Sequence, residues 1–225
     1  MQGDVAAGAK GCDHGAMKGR KCGGALAGIL VAALVLGACG SPDAKYVKNP
    51  DLGVFLKVPQ SWTVFEVQTN GPGLVNMGSS VAKLSWMVGF DGAVQPARAH
   101  LDEAVPAEPV GSLQILPAIG SSIEHSVAGL IKALSTGSDS AGAVVPFQVI
   151  ESGELSFPSG HWGVRIIMKA DVGDGTTRQA QRMALFDSTG SYLYVLEIAC
   201  DPECFDANKA SIDEIFQSLT MKAIK

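Results

Sequence analysis

Past its first forty residues, the 225-residue chain has no long apolar run, no cluster of basic side chains and only two cysteines. Lacking a second run of roughly 20 apolar residues, it cannot build a bundle of membrane-spanning helices. Lacking a basic patch, it is a poor partner for nucleic acid, whose phosphates demand concentrated positive charge. No two histidines stand four apart on one helix, the spacing of many metal sites. Neither metal, cofactor nor nucleic acid is expected.

What is present first is an uncharged run, Gly23 to Ala38, behind Lys18, Arg20 and Lys21. A positive flank, a short apolar stretch and small residues before a cut site make a secretory signal. A core helix of this length would carry polar residues on one face, whereas this one is apolar all round. It is also short for a spanning helix, which makes a transmembrane anchor the weaker reading. The run closes on Leu36-Gly37-Ala38-Cys39, which resembles the bacterial lipobox. That resemblance implies cleavage before Cys39 and a diacylglycerol on its thiol. Each buried methylene contributes about 0.8 kcal/mol, so two or three chains hold a soluble domain at a bilayer. The other reading is an ordinary secretory signal in which Cys39 is incidental.

Residues 1–16 fit poorly before such a signal, because Asp4 and Asp13 offset the single Lys10. Translation is expected to start at Met17, and a peptide of the precursor containing Asp4 or Asp13 would contradict this. The expected organisation is a signal peptide over 1–38, a lipidated tether over 39–50 and one domain over 51–225. The leader removes four basic and two acidic residues from totals of 17 and 22. The remaining 13 and 20 give the mature part a net charge of -7. Its 187 residues suit one domain with a sizeable core. Cys200 and Cys204 are then the remaining thiols, and in an oxidising compartment they should pair and pin a strand end to a helix start. A redox couple or a metal site would be the alternatives, with CxxxC spacing and no nearby histidine against them.

Along the mature chain, Gly40 to Pro50 is polar and turn-forming. Strands are predicted at Leu52 to Val58, Trp62 to Val67 and Val81 to Phe90 by their apolar and β-branched content. The prolines at 96, 106, 109 and 117 are spaced too closely for long helices between Asp91 and Gly120, with a short one expected at Ala97 to Val105. Ser121-Ser122-Ile123-Glu124 offers a capping box for a helix carrying Ile123, Val127, Leu130, Ile131 and Leu134 on one face. Gly137 to Gly142 reads as a loop. Strands follow at Val144 to Ile150, His161 to Ala170, Arg178 to Phe186 and Tyr192 to Cys200, with Asp174-Gly175 and Thr189-Gly190 as turns of an antiparallel meander. A helix from about Phe205 to Ser218 and an edge strand at Thr220 to Ile224 end the chain.

Few residues suggest chemistry. Ser80-Val81-Ala82-Lys83 spells SxxK, but opens a predicted strand, where residues three apart point to opposite faces. His100, His125 and His161, with Asp102, Glu103 and Glu124 as sequence neighbours, read as surface or partly buried side chains. Asp171 to Gly175 reads as a hairpin turn that lacks the acidic ligands of a calcium loop. No catalytic residue is assigned.

The early Val58-Pro59-Gln60-Ser61-Trp62, the strand YLYVLEIAC and the closing helix IDEIFQSLTMK together resemble the PsbP-like family. That family takes in the extrinsic subunit of photosystem II and bacterial lipoproteins such as DcrB and the LpqN group. The resemblance implies an α+β fold, a largely antiparallel sheet flanked by helices in a PsbP-like α/β/α sandwich, and no family catalytic residues. The Pro-rich middle and the CxxxC pair depart from the family pattern. The resulting expectation is a membrane-anchored extracytoplasmic lipoprotein, a non-enzymatic binding or assembly module of the cell envelope with a protein partner reached through loops near 71–79 and 113–119. The alternative is a carrier of an apolar ligand such as a lipid, in a pocket near residues 105–134. A hydrolase, testable by Ser80→Ala, stands behind both.

Overall fold

The computed structural model describes residues 43–67, 86–103, 106–118, 123–138, 144–173 and 175–222. In chain order these form β1 (Ala44–Asn49), β2 (Val54–Pro59), β3 (Thr63–Val67), β4 (Trp86–Asp91), one 3-10 helix (Arg98–Asp102), β5 (Val110–Pro117) and α1 (Val127–Leu134). Then follow β6 (Thr136–Ser138), β7 (Val144–Pro146), β8 (Gln148–Ser156), β9 (Trp162–Asp171), β10 (Thr177–Phe186), β11 (Tyr192–Cys200), α2 (Pro202–Ser218) and β12 (Thr220–Met221). Every strand pairing among them is antiparallel. The architecture is α+β, as the sequence led us to expect.

A seven-stranded sheet in the order β3-β4-β5-β11-β10-β9-β8 forms the centre. Side chains alternate across a strand, so each of its strands can feed two cores. On β11, Tyr194, Leu196 and Ile198 enter one core, and Leu193, Val195 and Ala199 enter the other. The first core is closed by α2 and a three-stranded sheet, β1-β2-β12, which supplies Val54, Leu56 and Val58. The second is closed by α1 through Leu130 and Leu134, both fully buried. Two-sided burial is why YLYVLEIAC reads as continuously apolar.

The β9-β10-β11 meander forms where the turn residues place it, with Gly173, Gly175 and Gly190 at positive φ. Helix α2 begins with Pro202, whose missing N–H costs nothing at that position. The Asp201 carboxylate accepts from the Cys204 N–H at 2.9 Å and caps it. Phe205, Ile212, Ile215 and Phe216 line its buried face. Cys200, the last residue of β11, is joined to Cys204 in the first turn of α2. In the chain-entropy account a loop this short contributes about 2 kcal/mol. Cys204→Ala should therefore lower the urea-unfolding free energy by about that amount; an unchanged midpoint would show that the bridge constrains nothing.

Four expectations need correction. The segment read as tether, 39–50, contains β1, which pairs with β2 along six residues from Ala44↔Pro59 to Asn49↔Val54. Only Val47 of that strand is buried, too little for a periodic signal. The Pro-rich middle holds β5, a central strand between β4 and β11. Its prolines stand before it at 106 and 109 and at its end at 117. Helix α1 starts at Val127, not Ile123, and its cap is Ser126, whose Oγ accepts from Gly129 N–H at 3.0 Å. Glu124 Oε1 instead accepts from the Ser126 hydroxyl. The strand expected at 144–150 divides into β7, paired with β6, and a longer β8, paired with β9 and running to Ser156.

Candidate functional site

Glycine at position 89 starts the site. A Cβ there would stand 2.4 Å from Leu101 Cδ1, so any larger residue would push the Leu101 side chain from its seat against β4. Leu101 is 7% exposed and fastens the 3-10 helix over the sheet. That places His100 above Asp91, the last residue of β4, which is fully buried. The Asp91 carboxylate is satisfied on both oxygens. Oδ1 accepts from Ala93 N–H at 2.8 Å, and Oδ2 accepts from Ala97 N–H and from His100 Nδ1 at 2.8 Å each. A buried carboxylate without such donors would cost several kcal/mol, so this set of bonds fixes the 92–97 loop as well as the ring. A carboxylate only accepts, so Nδ1 of His100 is the donor in this pair. His100, Glu103, Pro106, Ala107, Glu108 and Val110 line a cleft of ≈ 240 Å³ beside it.

A second polar group lies on the α1 side of the sheet. Glu197 of β11 and Arg182 of β10 are direct cross-strand partners, 4% and 3% exposed. Arg182 Nε donates to Glu197 Oε2 and Arg178 Nη2 to Oε1, both at 2.5 Å. Arg182 Nη1 also donates to the Leu134 carbonyl at the end of α1, and its guanidinium lies 4.8 Å from the Phe147 ring centre. Burial pushes the Glu197 carboxyl up, but the Arg182 and Arg178 charges outweigh it and hold it below the usual carboxylate range. Burial likewise pulls the Arg178 guanidinium down, against the pull of Glu197. Glu197 and Arg182 are closed off from solvent, Arg178 is half-buried, and the triad fastens α1 to the sheet.

The third cluster caps the sheet end. Burial raises the Asp187 carboxyl, but donors from Thr189 and the backbone N–H groups of Tyr192, Thr189 and Ser191 bring it below its ordinary value. Next to it, burial depresses the His161 imidazole below 6.5, opposed by Asp187 and Ser159. His161 stacks edge-on against Tyr194 at 5.4 Å. The Tyr194 hydroxyl, pushed up to about 12 by burial together with the charges of Asp187 and Tyr192, donates to the Leu52 carbonyl at 3.1 Å. It latches the β1-β2 turn to β11.

The three histidines flagged by the sequence are thus held apart by different partners: His100 by Asp91, His125 by Phe186 at 4.3 Å, and His161 by Ser159 and Tyr194. Among the described residues no group of three His, Cys, Asp or Glu side chains could hold a metal ion. Gly173 N–H bonds to Asp171 Oδ1 in the β9-β10 turn, where the sequence placed a hairpin. Cys39, Ser80 and Lys83 lie outside the described residues, as do the whole 71–79 loop and Asp139 to Gly142. Of the stretch proposed as a ligand pocket, Leu113 and Ile115 fill one core, and Leu116, Ile123, Leu130 and Leu134 the other. Asp91, Asp187, Arg178, Arg182 and Glu197 were not singled out from the sequence. A glutamate inside an apolar strand, facing arginines four apart on the next strand, was the available signal for the triad.

No family model matches the chain, and no curated protein matches it in sequence. Among solved structures, the cyanobacterial PsbP, CyanoP, of Synechocystis sp. PCC 6803 is 14% identical over 83% of this chain and 98% of its own, with a TM-score of 0.49. LpqN, described as involved in cell envelope biogenesis of Mycobacterium tuberculosis, is 14% identical over 80% of this chain and 91% of its own, at 0.45. The Ran-binding protein Mog1p of Saccharomyces cerevisiae is 8% identical over 79% and 95%, at 0.42. The likeness is one of backbone course, and no function is carried across by it. No helix among the described residues is long and apolar enough to cross a membrane.

Proposed function

We propose that the chain is an extracytoplasmic lipoprotein, held at a membrane by acyl chains on Cys39, whose α+β domain serves as a non-catalytic binding or assembly module of the envelope. One observation carries the reading: an uncharged run behind Lys18, Arg20 and Lys21 that closes on Leu36-Gly37-Ala38-Cys39. The Cys200–Cys204 bond agrees with an oxidising compartment. The described clusters agree with a module, since the carboxylates of Asp91, Asp187 and Glu197 are each taken up by donors of their own cluster or of the backbone.

A carrier of an apolar ligand has less support. The described apolar side chains of 105–134 fill the two cores, and the cleft beside them carries two glutamates. Its ≈ 240 Å³ falls below the usual roughly 300–1,000 Å³ of a pocket that takes a drug-sized ligand. Metabolic labelling with palmitate tests the proposal. Label should enter the wild-type protein and be absent from Cys39→Ala; label that survives the substitution would refute it.

A further inference from the structure

We infer that the outer face of the β1-β2-β12 sheet is a membrane-docking surface, a patch of lysines and aromatic rings that lies on anionic phospholipid headgroups. The inference rests on the reading of Cys39 as a lipidated residue and adds an orientation to it.

Side chains alternate along each strand, so this sheet has one face in the core and one outside it. Val47, Val54, Leu56, Val58 and Met221 enter the core. The residues between them, Tyr46, Lys48, Phe55, Lys57, Thr220 and Lys222, share the other face. Register sets them side by side, with Tyr46 opposite Lys57, and with Lys48 and Thr220 on either side of Phe55. Lys57 Nζ lies 5.8 Å from the Tyr46 ring centre, and Lys222 Nζ 4.8 Å from that of Phe55. Each ring therefore holds a cation at its surface.

The charge on this face runs against that of the rest of the chain. Lys48, Lys57 and Lys222 are exposed and make no ion pair among the described residues. The outward positions of the three strands carry no acidic residue, although the mature part has a net charge of -7. Lys45 is spent elsewhere, donating to the Trp62 carbonyl at 2.6 Å. Tyr46 is 69% exposed, and a ring that ends in a hydroxyl suits the boundary between headgroups and acyl chains.

The tether decides what this face meets. Charge alone would suit an acidic protein equally well. Only four residues, Gly40 to Asp43, separate Cys39 from β1. An extended chain advances at most about 3.6 Å per residue, so an acylated Cys39 keeps the start of β1 within roughly 18 Å of its lipid. Tethering raises the effective concentration of the bilayer at the lysines, and acyl chains with a cationic patch form a two-signal anchor.

The test uses the full-length protein purified from membranes and reconstituted in vesicles of phosphatidylcholine alone or of an equimolar mixture with phosphatidylglycerol. Acetylation of individual lysines is followed by peptide mass. Lys48, Lys57 and Lys222 should react about fivefold more slowly in the anionic vesicles, the factor that matches the attraction of one lysine to such a surface. Molar salt should remove the difference. Lys132, on α1 across the large sheet, should react equally in both. Iodination of Tyr46 reads the same face without using a lysine. Anionic vesicles should slow it in the wild type and leave it unchanged in Lys48→Gln/Lys57→Gln/Lys222→Gln. Equal reactivity of the three lysines in the two lipid mixtures, or Tyr46 protection that survives the triple substitution, would overturn the proposal. Lysines that stay reactive in anionic vesicles but are shielded in native membranes would assign the face to an envelope protein and overturn it as well. The intact mass of the same preparation reads the lipid on Cys39, so a missing anchor and an undocked face are separate results.

Discussion

Arg182→Met should destabilise the protein by about 3–5 kcal/mol, because it leaves the Glu197 carboxylate buried without one of its two counter-charges, the fully buried one. Glu197 is 4% exposed, and Arg182 supplies one of the two guanidinium contacts on its oxygens. The substitution also withdraws the donor to the Leu134 carbonyl, one of the groups a helix end leaves without an intrahelical partner. Arg178 remains, but its side chain is 20% exposed and engages the other oxygen. The measurement is urea unfolding of the variant beside Arg182→Met/Glu197→Met. If the loss comes from a stranded charge, the double variant should recover much of it, since apolar replacement of a buried pair is often neutral. Equal losses in both would assign the effect to packing.

The same group sets a pH dependence whose sign follows from its shift. The folded Glu197 carboxyl is held below its unfolded value, so its contribution is present above roughly pH 4.3 and is lost as pH falls through the lower folded value. Asp187 acts in the same direction. The wild type should therefore lose stability on acidification, and Arg182→Met should show a shallower acid limb.

Phe205→Ala should cost about 3–5 kcal/mol, the range for truncating a buried aromatic. Phe205 is 1% exposed and follows directly on Cys204, so it inserts at the point where the disulfide and the Asp201 cap fix the helix start. It packs in the core shared by the large sheet and β1-β2-β12. The effect should exceed that of Cys204→Ala, because the bridge acts on a short loop of the unfolded chain whereas Phe205 fills a closed space. A smaller loss for Phe205→Ala than for Cys204→Ala in thermal or urea unfolding would show that α2 is held by its bridge rather than by its apolar face.

The elements legible in the sequence are those whose neighbours in space are also neighbours in the chain. The β9-β10-β11 meander is signalled by its turn glycines, and α2 by Ile212, Ile215 and Phe216 at helical spacing. Strand β1 was hidden because AKYVKN buries only Val47, so alternation never emerges. Strand β5 was hidden by prolines that bound it rather than break it. The α1 cap was misplaced because Ile123 is buried ahead of the helix and mimics its periodicity.

The site was less legible than the fold. His100 drew notice as a histidine, but Asp91 stands nine residues away, and no periodicity links a strand end to a turn across a loop. What brings them together is the gap at Gly89 that Leu101 fills, a packing event with no signature in spacing. The triad was readable in principle, since Arg178 and Arg182 share a face of β10 and Glu197 interrupts an apolar strand. The proposed anchor, by contrast, rests on a local run of residues, Gly23 to Cys39, and needs no tertiary contact to be read.

The most direct test of the account is the intact mass and amino-terminal sequence of the protein purified from membranes. The account predicts a chain that begins at Cys39 and carries the mass of a diacylglycerol on its sulfur, with Cys200 and Cys204 oxidised to each other. A chain that retains residues before Cys39, or one that begins there with a free thiol, would contradict it.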